Sequence, residues 1–351
     1  MAIFSYHLYS AHGHLLGSDF ELSELTLSLA PSTVASRSVP TIRLRRTTRR
    51  QLPVPARTEW IVRQHGGLSI AHGPWGFLLI SYCGSVAWAQ ASTGVPGITG
   101  ELFIARGPSI STSRFNHTVL HSFLPQWMAL RGEVLLHATC VVADGLAFLF
   151  AGESTMGKST LAAGFVAEGL DVFADDVVRV ECRDGAAPQV WRSYPGVRLR
   201  GNSFLLPPAQ RLRRVGRYGL PKHRIYPATG ALQTSPAPVA AAFFLGRGRQ
   251  VAARFEPLSP LQALTPFLRA SFLQALPPAT RSRDAFLRTT QLAAAIPAIS
   301  LSYRRSPIHF QALLADILGY IRGKAMSAFS MGSGDRSWIK ASTDAEAGMI
   351  R

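Results

Sequence analysis

Eight consecutive residues, Gly152-Glu153-Ser154-Thr155-Met156-Gly157-Lys158-Ser159, fit G-x-x-x-x-G-K-[ST]. Each position has a chemical reason. Glycine lets the backbone wrap an anion closely, the lysine reaches the β and γ oxygens of a polyphosphate, and the serine hydroxyl after it joins the shell of a Mg²⁺ ion. A helix starting here adds orphan amides and the positive end of its dipole. Downstream, Asp175 and Asp176 are adjacent carboxylates. Phosphoryl transfer to a hydroxyl needs a cradle and a metal ion on the donor, an in-line acceptor, and a carboxylate to receive the hydroxyl proton. The loop supplies the cradle and the acid pair can supply the rest. ATP and Mg²⁺ are therefore the expected cofactors, with Gly152, Glu153, Ser154, Thr155, Met156, Gly157, Lys158, Ser159 and Thr160 around the nucleotide and Ser159 on the metal.

These groups work only if the chain positions them. The apolar run Leu146 to Ala151 reads as a strand ending at the loop, and Thr160 to Glu168 as the helix after it. Leu170 to Ala174 is a second strand, which delivers the acids to its carboxyl end, where ligands bind in open α/β sheets. Val134 to Val142 is a strand carrying His137, joined by an Asp144-Gly145 hairpin turn to the loop strand. Consecutive residues leave a strand in opposite directions, so one acid faces the acceptor and the other the metal. Further strands are expected at Val178 to Cys182, Gln189 to Trp191, Val239 to Leu245 and Ala298 to Tyr303, and helices at Leu261 to Leu276, Arg283 to Ala294 and Phe310 to Ile321. Arg198 and Arg200 share one strand face, and Arg217, Lys222, His223 and Arg224 lie in a loop-like stretch. Either set can clamp phosphate or simply be solvated.

The first part of the chain is β-prone. Residues 3 to 9, 60 to 62, 67 to 71, 77 to 82 and 86 to 90 are short runs separated by Gly and Pro, which implies an antiparallel meander. His12-Gly13-His14 reads as a surface turn without a role. Arg43, Arg45, Arg46, Arg49 and Arg50 read as an edge strand and solvated loop, or as a dock for an acidic peptide. Asn116 to Leu130 changes to helical period around Pro125, which should kink or divide it. The expected organisation is a β-rich region over 1–115 that helps select substrate, a catalytic domain over 116–322, and a disordered tail over 323–351.

The net charge of +17 comes almost entirely from arginine, with lysine only at 158, 222, 324 and 340. Such usage follows base composition, so it does not argue for nucleic acid. Cys83, Cys140 and Cys182 have neither C-x-x-C nor zinc spacing and read as buried apolar residues of a protein in a reducing cytoplasm. The start lacks a signal-peptide pattern, and no apolar stretch of about eighteen residues occurs. No membrane partner is expected, and homo-oligomerisation is left open.

His137, the loop and Ala174-Asp175-Asp176, in this order and at these separations, resemble the catalytic domain of HPr kinase/phosphorylase, a P-loop protein-serine kinase akin in fold to phosphoenolpyruvate carboxykinase. The opening Tyr6…Ser18-Asp19…Leu22…Leu25, the stretch Leu130-Arg131-Gly132…Leu136-His137-Ala138 and the run Tyr194-Pro195-Gly196-Val197-Arg198-Leu199 are similar to HPr-kinase-related proteins of lasso peptide pathways. The resemblance spans most of residues 3 to 321. It implies an α/β P-loop kinase core with a β-rich N-terminal region, a serine hydroxyl on a lasso-type precursor peptide or small protein as acceptor, Asp175 as general base, Asp176 as metal or water ligand, and His137 as a neighbour that sets the charge state of Asp175. Thr155 and Thr160 depart from the family loop, and the Val197 to Gly201 region lacks the family's metal-binding glutamate. Two other readings of the residues stand beside the kinase: an ATPase or switch that binds a partner without phosphorylating it, and a non-catalytic nucleotide-binding module.

Overall fold

The computed structural model describes residues 7–23, 25, 40–56, 60–65, 68–73, 76–81, 83–89, 100–183, 185–194, 196–200, 203, 205, 222–225, 235–272 and 283–330. Short alternating runs form the first sheet: β1 (His7–Ala11), β2 (His14–Ser18), β3 (Ile42–Arg46), β4 (Trp60–His65), β5 (Leu68–Gly73), β6 (Gly76–Ser81), β7 (Val86–Ala89) and β8 (Gly100–Ala105). Their order is β1-β2-β3-β8-β7-β6-β5-β4. From β8 to β4 the strands form the expected antiparallel meander, but β3 runs parallel to both β2 and β8. So β3 is internal, not the edge strand read from its arginines. Those arginines are engaged within the sheet: Arg43 lies 4.0 Å and Arg45 3.9 Å from Glu101, and Arg45 and Arg46 cover the rings of Phe103 and Phe20.

Residues 112–130 form one helical rod in three parts: α1 (Thr112–Thr118), a π turn (Val119–Phe123) and α2 (Leu124–Leu130). Ser111 caps it by accepting from the Arg114 N–H. Pro125 accounts for the π turn. It has no N–H to offer the carbonyl of His121 four residues back, and its ring would press on that carbonyl. The turn widens, and the Leu124 N–H reaches Val119. The break expected at Pro125 is therefore a widened turn in a continuous rod. The rod's apolar face, including Val119, Phe123, Leu124 and Trp127, packs with Leu16, Leu44 and Ile104 of the sheet and with Leu135, Val177 and Tyr194 further along the chain. Each such side chain contributes roughly 1.5–3 kcal/mol by burial. This core runs across residue 116.

After the rod come β9 (Val134–Leu136), β10 (Ala138–Ala143), β11 (Leu146–Ala151), α3 (Lys158–Ala167), β12 (Asp171–Ala174), β13 (Val178–Glu181), β14 (Gln189–Trp191), β15 (Val197–Arg200), β16 (Lys222–Ile225), β17 (Ala237–Arg247), β18 (Arg254–Leu258), α4 (Pro260–Ala270), α5 (Arg283–Ala295), β19 (Ala298–Tyr303) and α6 (Phe310–Ser330). The second sheet is also mixed. Its order is β12-β10-β11-β17-β14-β13-β9, with β19 beside β17 and β18 beyond β19. Strands β11, β17 and β19 are parallel, while β10 is antiparallel to both β11 and β12. Thus β11 and β12 point the same way and bring their carboxyl ends to one edge. Alternate side chains of β11 serve two layers: Phe148 and Phe150 pack with Leu161 and Phe165 of α3 and Leu314 of α6, Ala147 and Leu149 with Phe267 of α4 and Leu292 of α5. A Cβ on Gly164 would sit 2.8 Å from the Phe310 ring, so the approach of α6 to α3 requires glycine there.

Several local expectations change. His137 divides the run 134–142 into β9 and β10, and Lys222 to Arg224, read as loop, belong to β16, which pairs with β15. Helix α4 stops at Ala270, with Ser271 extended and bridged to Leu136. Helix α6 runs to Ser330, so residues 323–330 of the expected tail are helical. Arg217 and residues 331–351 lie outside the described residues. In the turn expected at the surface, Gly13 is exposed but His12 is buried: its N–H donates to the Arg192 carbonyl at 2.7 Å, and Arg179 Nη1 donates to the His12 carbonyl at 3.1 Å. Both ring nitrogens of His12 are buried without a hydrogen-bond partner. Burial, then the charges of His14 and Arg179, pull that imidazole down to about 3. Cys140 is buried as expected, whereas Cys83 and Cys182 are partly exposed. Among the described residues no helix is long and apolar enough to cross a membrane.

Candidate functional site

Strand β11 ends at Ala151, and the chain then turns through the 152–159 loop with Thr155 and Gly157 left-handed (φ 74° and 101°). Gly157 caps α3 without a side chain, leaving the helix amides open. Two side chains hold the loop shut. Lys158 Nζ donates to the carbonyls of Gly152 at 2.7 Å and Glu153 at 3.3 Å, and the Tyr303 hydroxyl donates to the Met156 carbonyl. Burial pushes the Tyr303 phenol up to about 12, so it stays a donor.

The acid pair lies at the end of β12. Asp175 is buried beneath the loop: its Oδ1 accepts from Ser159 Oγ at 3.1 Å and Thr139 Oγ1 at 3.0 Å, and its Oδ2 from the Arg198 N–H at 3.0 Å. Burial and then the charge of Asp176 raise its carboxyl to about 6 despite those hydrogen bonds. Asp176 is left-handed (φ 84°), a conformation aspartate tolerates better than most residues. This turns it toward a cavity of about 620 Å³ in front of α3, which Lys158, Ser159, His137 and Arg198 also line. Asp175 thus touches the Ser159 hydroxyl, and Asp176 faces the cavity.

His137 sits where β9 gives way to β10, its N–H fixed to the Ala270 carbonyl at 2.6 Å. Its Nδ1 lies 2.9 Å from the Asp176 carbonyl, which can only accept, so Nδ1 carries the hydrogen. Through this contact His137 reaches the acid pair at the Asp176 backbone. A second cavity, of about 540 Å³, adjoins the first across Gly157 and Thr160 and is walled by Arg247, Arg304 and Arg305. Among the described residues no group of three His, Cys, Asp or Glu side chains is placed to hold a metal by itself. Ser159 and one carboxylate suit a Mg²⁺ ion that takes its other ligands from phosphate and water.

No known family's sequence model matches the chain, and no curated protein does. Among solved structures it is similar to the HPr(Ser) kinase/phosphatase from Coxiella burnetii, with 11% identity and a TM-score of 0.29, over 54% of this chain and 97% of that one.

Of the residues singled out from sequence, His137, Ser154, Thr155, Gly157, Lys158, Ser159, Thr160, Asp176 and Arg198 line the first cavity. Gly152, Glu153 and Met156 contribute loop carbonyls instead, and Asp175 supports from below. Sequence reasoning missed His117 and His121, which also line the cavity, and Tyr194, whose hydroxyl donates to the Asp175 carbonyl at 2.9 Å. The i, i+4 spacing of the two histidines was a signal for them; Tyr194 stood in the run that resembles the family, but nothing in that run pointed to this contact.

Proposed function

We propose that this protein is an ATP- and Mg²⁺-dependent kinase that transfers the γ-phosphoryl group to a serine hydroxyl of a peptide or small protein, on a P-loop core of the HPr kinase type. The observation that carries this reading is the bond between Ser159 and Asp175 at the start of α3, with Asp176 turned beside it into open space. A metal ion on the β and γ oxygens would be held by Ser159 and the Asp175 side of the pair. Lys158 would exchange the loop carbonyls for phosphate oxygens, and the exposed helix amides would cradle the rest. The first cavity contains Lys158, Ser159 and Asp176, so it takes the γ end of the donor and the acceptor; the arginine-walled second cavity, reached past Thr160, takes the nucleoside end. Asp176 then receives the proton of the acceptor hydroxyl and Asp175 anchors the metal, the reverse of the roles implied by the family resemblance. The serine and the lasso-type precursor peptide rest on that resemblance alone. Arg43 and Arg45 lie at Glu101, whereas Arg46, Arg49 and Arg50 are exposed, so acceptor recognition is assigned to the cavity mouth, with these three as the part of the arginine segment left to dock an acidic peptide.

The test is incubation with γ-labelled ATP, Mg²⁺ and serine-containing peptides. Label is expected on peptide serine, and Asp176→Asn should lower the rate by about 10²- to 10⁴-fold while ATP still binds. Label released only as free phosphate would overturn the kinase reading in favour of an ATPase.

A further inference from the structure

The π turn carries His121 to the acid pair. Its Nδ1 lies 2.8 Å from the Tyr194 hydroxyl and 3.8 Å from Asp176 Oδ2, and the side chain is only 5% exposed. Hydrogen-bond direction settles the arrangement. The Tyr194 hydroxyl donates its one hydrogen to the Asp175 carbonyl, so the second contact of that oxygen must be supplied by His121, and Nδ1 is the protonated nitrogen. That hydrogen is committed to the phenol oxygen; the Asp176 carboxylate lies beside the ring at 3.8 Å, beyond hydrogen-bond reach, so His121 bears on Asp176 by close polar contact and packing. His117, one helical turn earlier, stacks on His121 with ring centroids 4.1 Å apart and contacts Arg198, whose own N–H holds Asp175 Oδ2. The helix face thus brackets both acids, Asp176 from His121 and Asp175 through Arg198.

Resting on the kinase reading, we infer that His121 is a positioning residue: with Tyr194 it holds the left-handed Asp176 carboxylate toward the acceptor, so that the N-terminal rod completes the active site. Asp176 needs such a constraint, because its backbone turns it out of the strand and its side chain projects into an open cavity. A carboxylate displaced from this position spends less time in line with the acceptor, and small losses of alignment cost large factors in rate. Pro125 belongs to the same device, since the widened turn it imposes sets where His121 emerges.

The test compares His121→Ala, His121→Asn and His121→Gln for peptide phosphorylation. An Asn amide nitrogen can stand near the former Nδ1, whereas Gln reaches toward Nε2. The expected result is a fall in kcat of about 10- to 100-fold for Ala, with the KM for ATP unchanged, substantial recovery for Asn, and none for Gln. An activity-independent measurement accompanies it: nitrogen chemical shifts should report the Nδ1–H tautomer at His121 in the parent, altered in Tyr194→Phe. Parent kcat in His121→Ala, or equal losses in all three variants, would overturn the positioning role while leaving the kinase reading intact. A parent protein that labels no peptide would sink the kinase reading, and the Nε2–H tautomer would sink the His121 arrangement whatever the activity.

Discussion

Replacing Asp175 with Asn should change how stability depends on pH, and the size of the effect follows from the site. Burial and the neighbouring Asp176 raise the Asp175 carboxyl from 3.8 to about 6. In that window the folded protein binds a proton that the unfolded chain has lost. Folded stability from this group is therefore complete below the unfolded value and declines as pH rises through the folded one. The decline amounts to about 3 kcal/mol, at 1.36 kcal/mol for each unit. Asn does not titrate, so the variant lacks the decline. It carries a pH-independent penalty instead, because its amide nitrogen or its single oxygen must face the Arg198 N–H, and one of the three donors on Asp175 loses its acceptor. That penalty is about 1–3 kcal/mol. Near pH 4 the variant should be less stable than the parent, and near pH 7 as stable or more so. Urea unfolding across this range, in EDTA, measures the difference directly; uncoupled groups cancel in it, and the difference belongs to the Asp175–Asp176 pair. A difference constant to within about 0.5 kcal/mol would refute the claim that an ionised carboxylate is held under strain beneath the loop. In the parent alone, added Mg²⁺ should remove part of the decline.

Lys158→Ala should weaken ATP binding by about 10- to 100-fold, the loss of a charged hydrogen bond, while the melting temperature changes little; fluorescent-nucleotide titration reads the first and a thermal scan the second. His12 has the opposite pH sign to Asp175. Its ring is lowered from 6.5 to about 3, so the stability it contributes is whole above 6.5 and is lost as pH falls, by about 5 kcal/mol in all. Acid should therefore free the β1–β2 hairpin, seen as a change in Trp191 fluorescence, and His12→Asn, which tolerates the left-handed backbone, should flatten that acid limb. Burial pushes the Cys83 thiol up, but bonds with Ser81, Ser85 and Thr118 outweigh it and hold it at about 7. Iodoacetamide at neutral pH should modify Cys83 ahead of Cys182 and Cys140, whose thiols burial raises, with peptide mass spectrometry as the readout.

The parts of this molecule that were legible in sequence are those where local pattern and tertiary role coincide. The strand, loop and helix around Lys158 depend on a run of apolar residues, a glycine and a helix start, all contiguous, and they form as read. The meander from β4 to β8 is legible for the same reason. What sequence could not supply is anything decided by a distant partner. The parallel insertion of β3 between β2 and β8 depends on residues far along the chain, and arginines that pair with Glu101 look identical to solvated ones until the partner strand is placed. The burial of His12 depends on residues 179 to 194. The different directions in which Asp175 and Asp176 face turn on one positive φ, which alternation along a strand cannot reveal.

The first core has a consequence for how the protein comes off the ribosome. The strands of the first sheet are complete at Ala105, yet the apolar face they present is closed by the rod and by Leu135, Val177 and Tyr194. At about 5–20 residues per second, roughly 5–20 s separate the synthesis of β8 from that of Tyr194. For that interval Leu16, Leu44 and Ile104 lack their final cover, and the β4 edge of the sheet is already made. The nascent chain is thus at its most vulnerable to aggregation in mid-synthesis, and slow codons between these two points would lengthen the exposure.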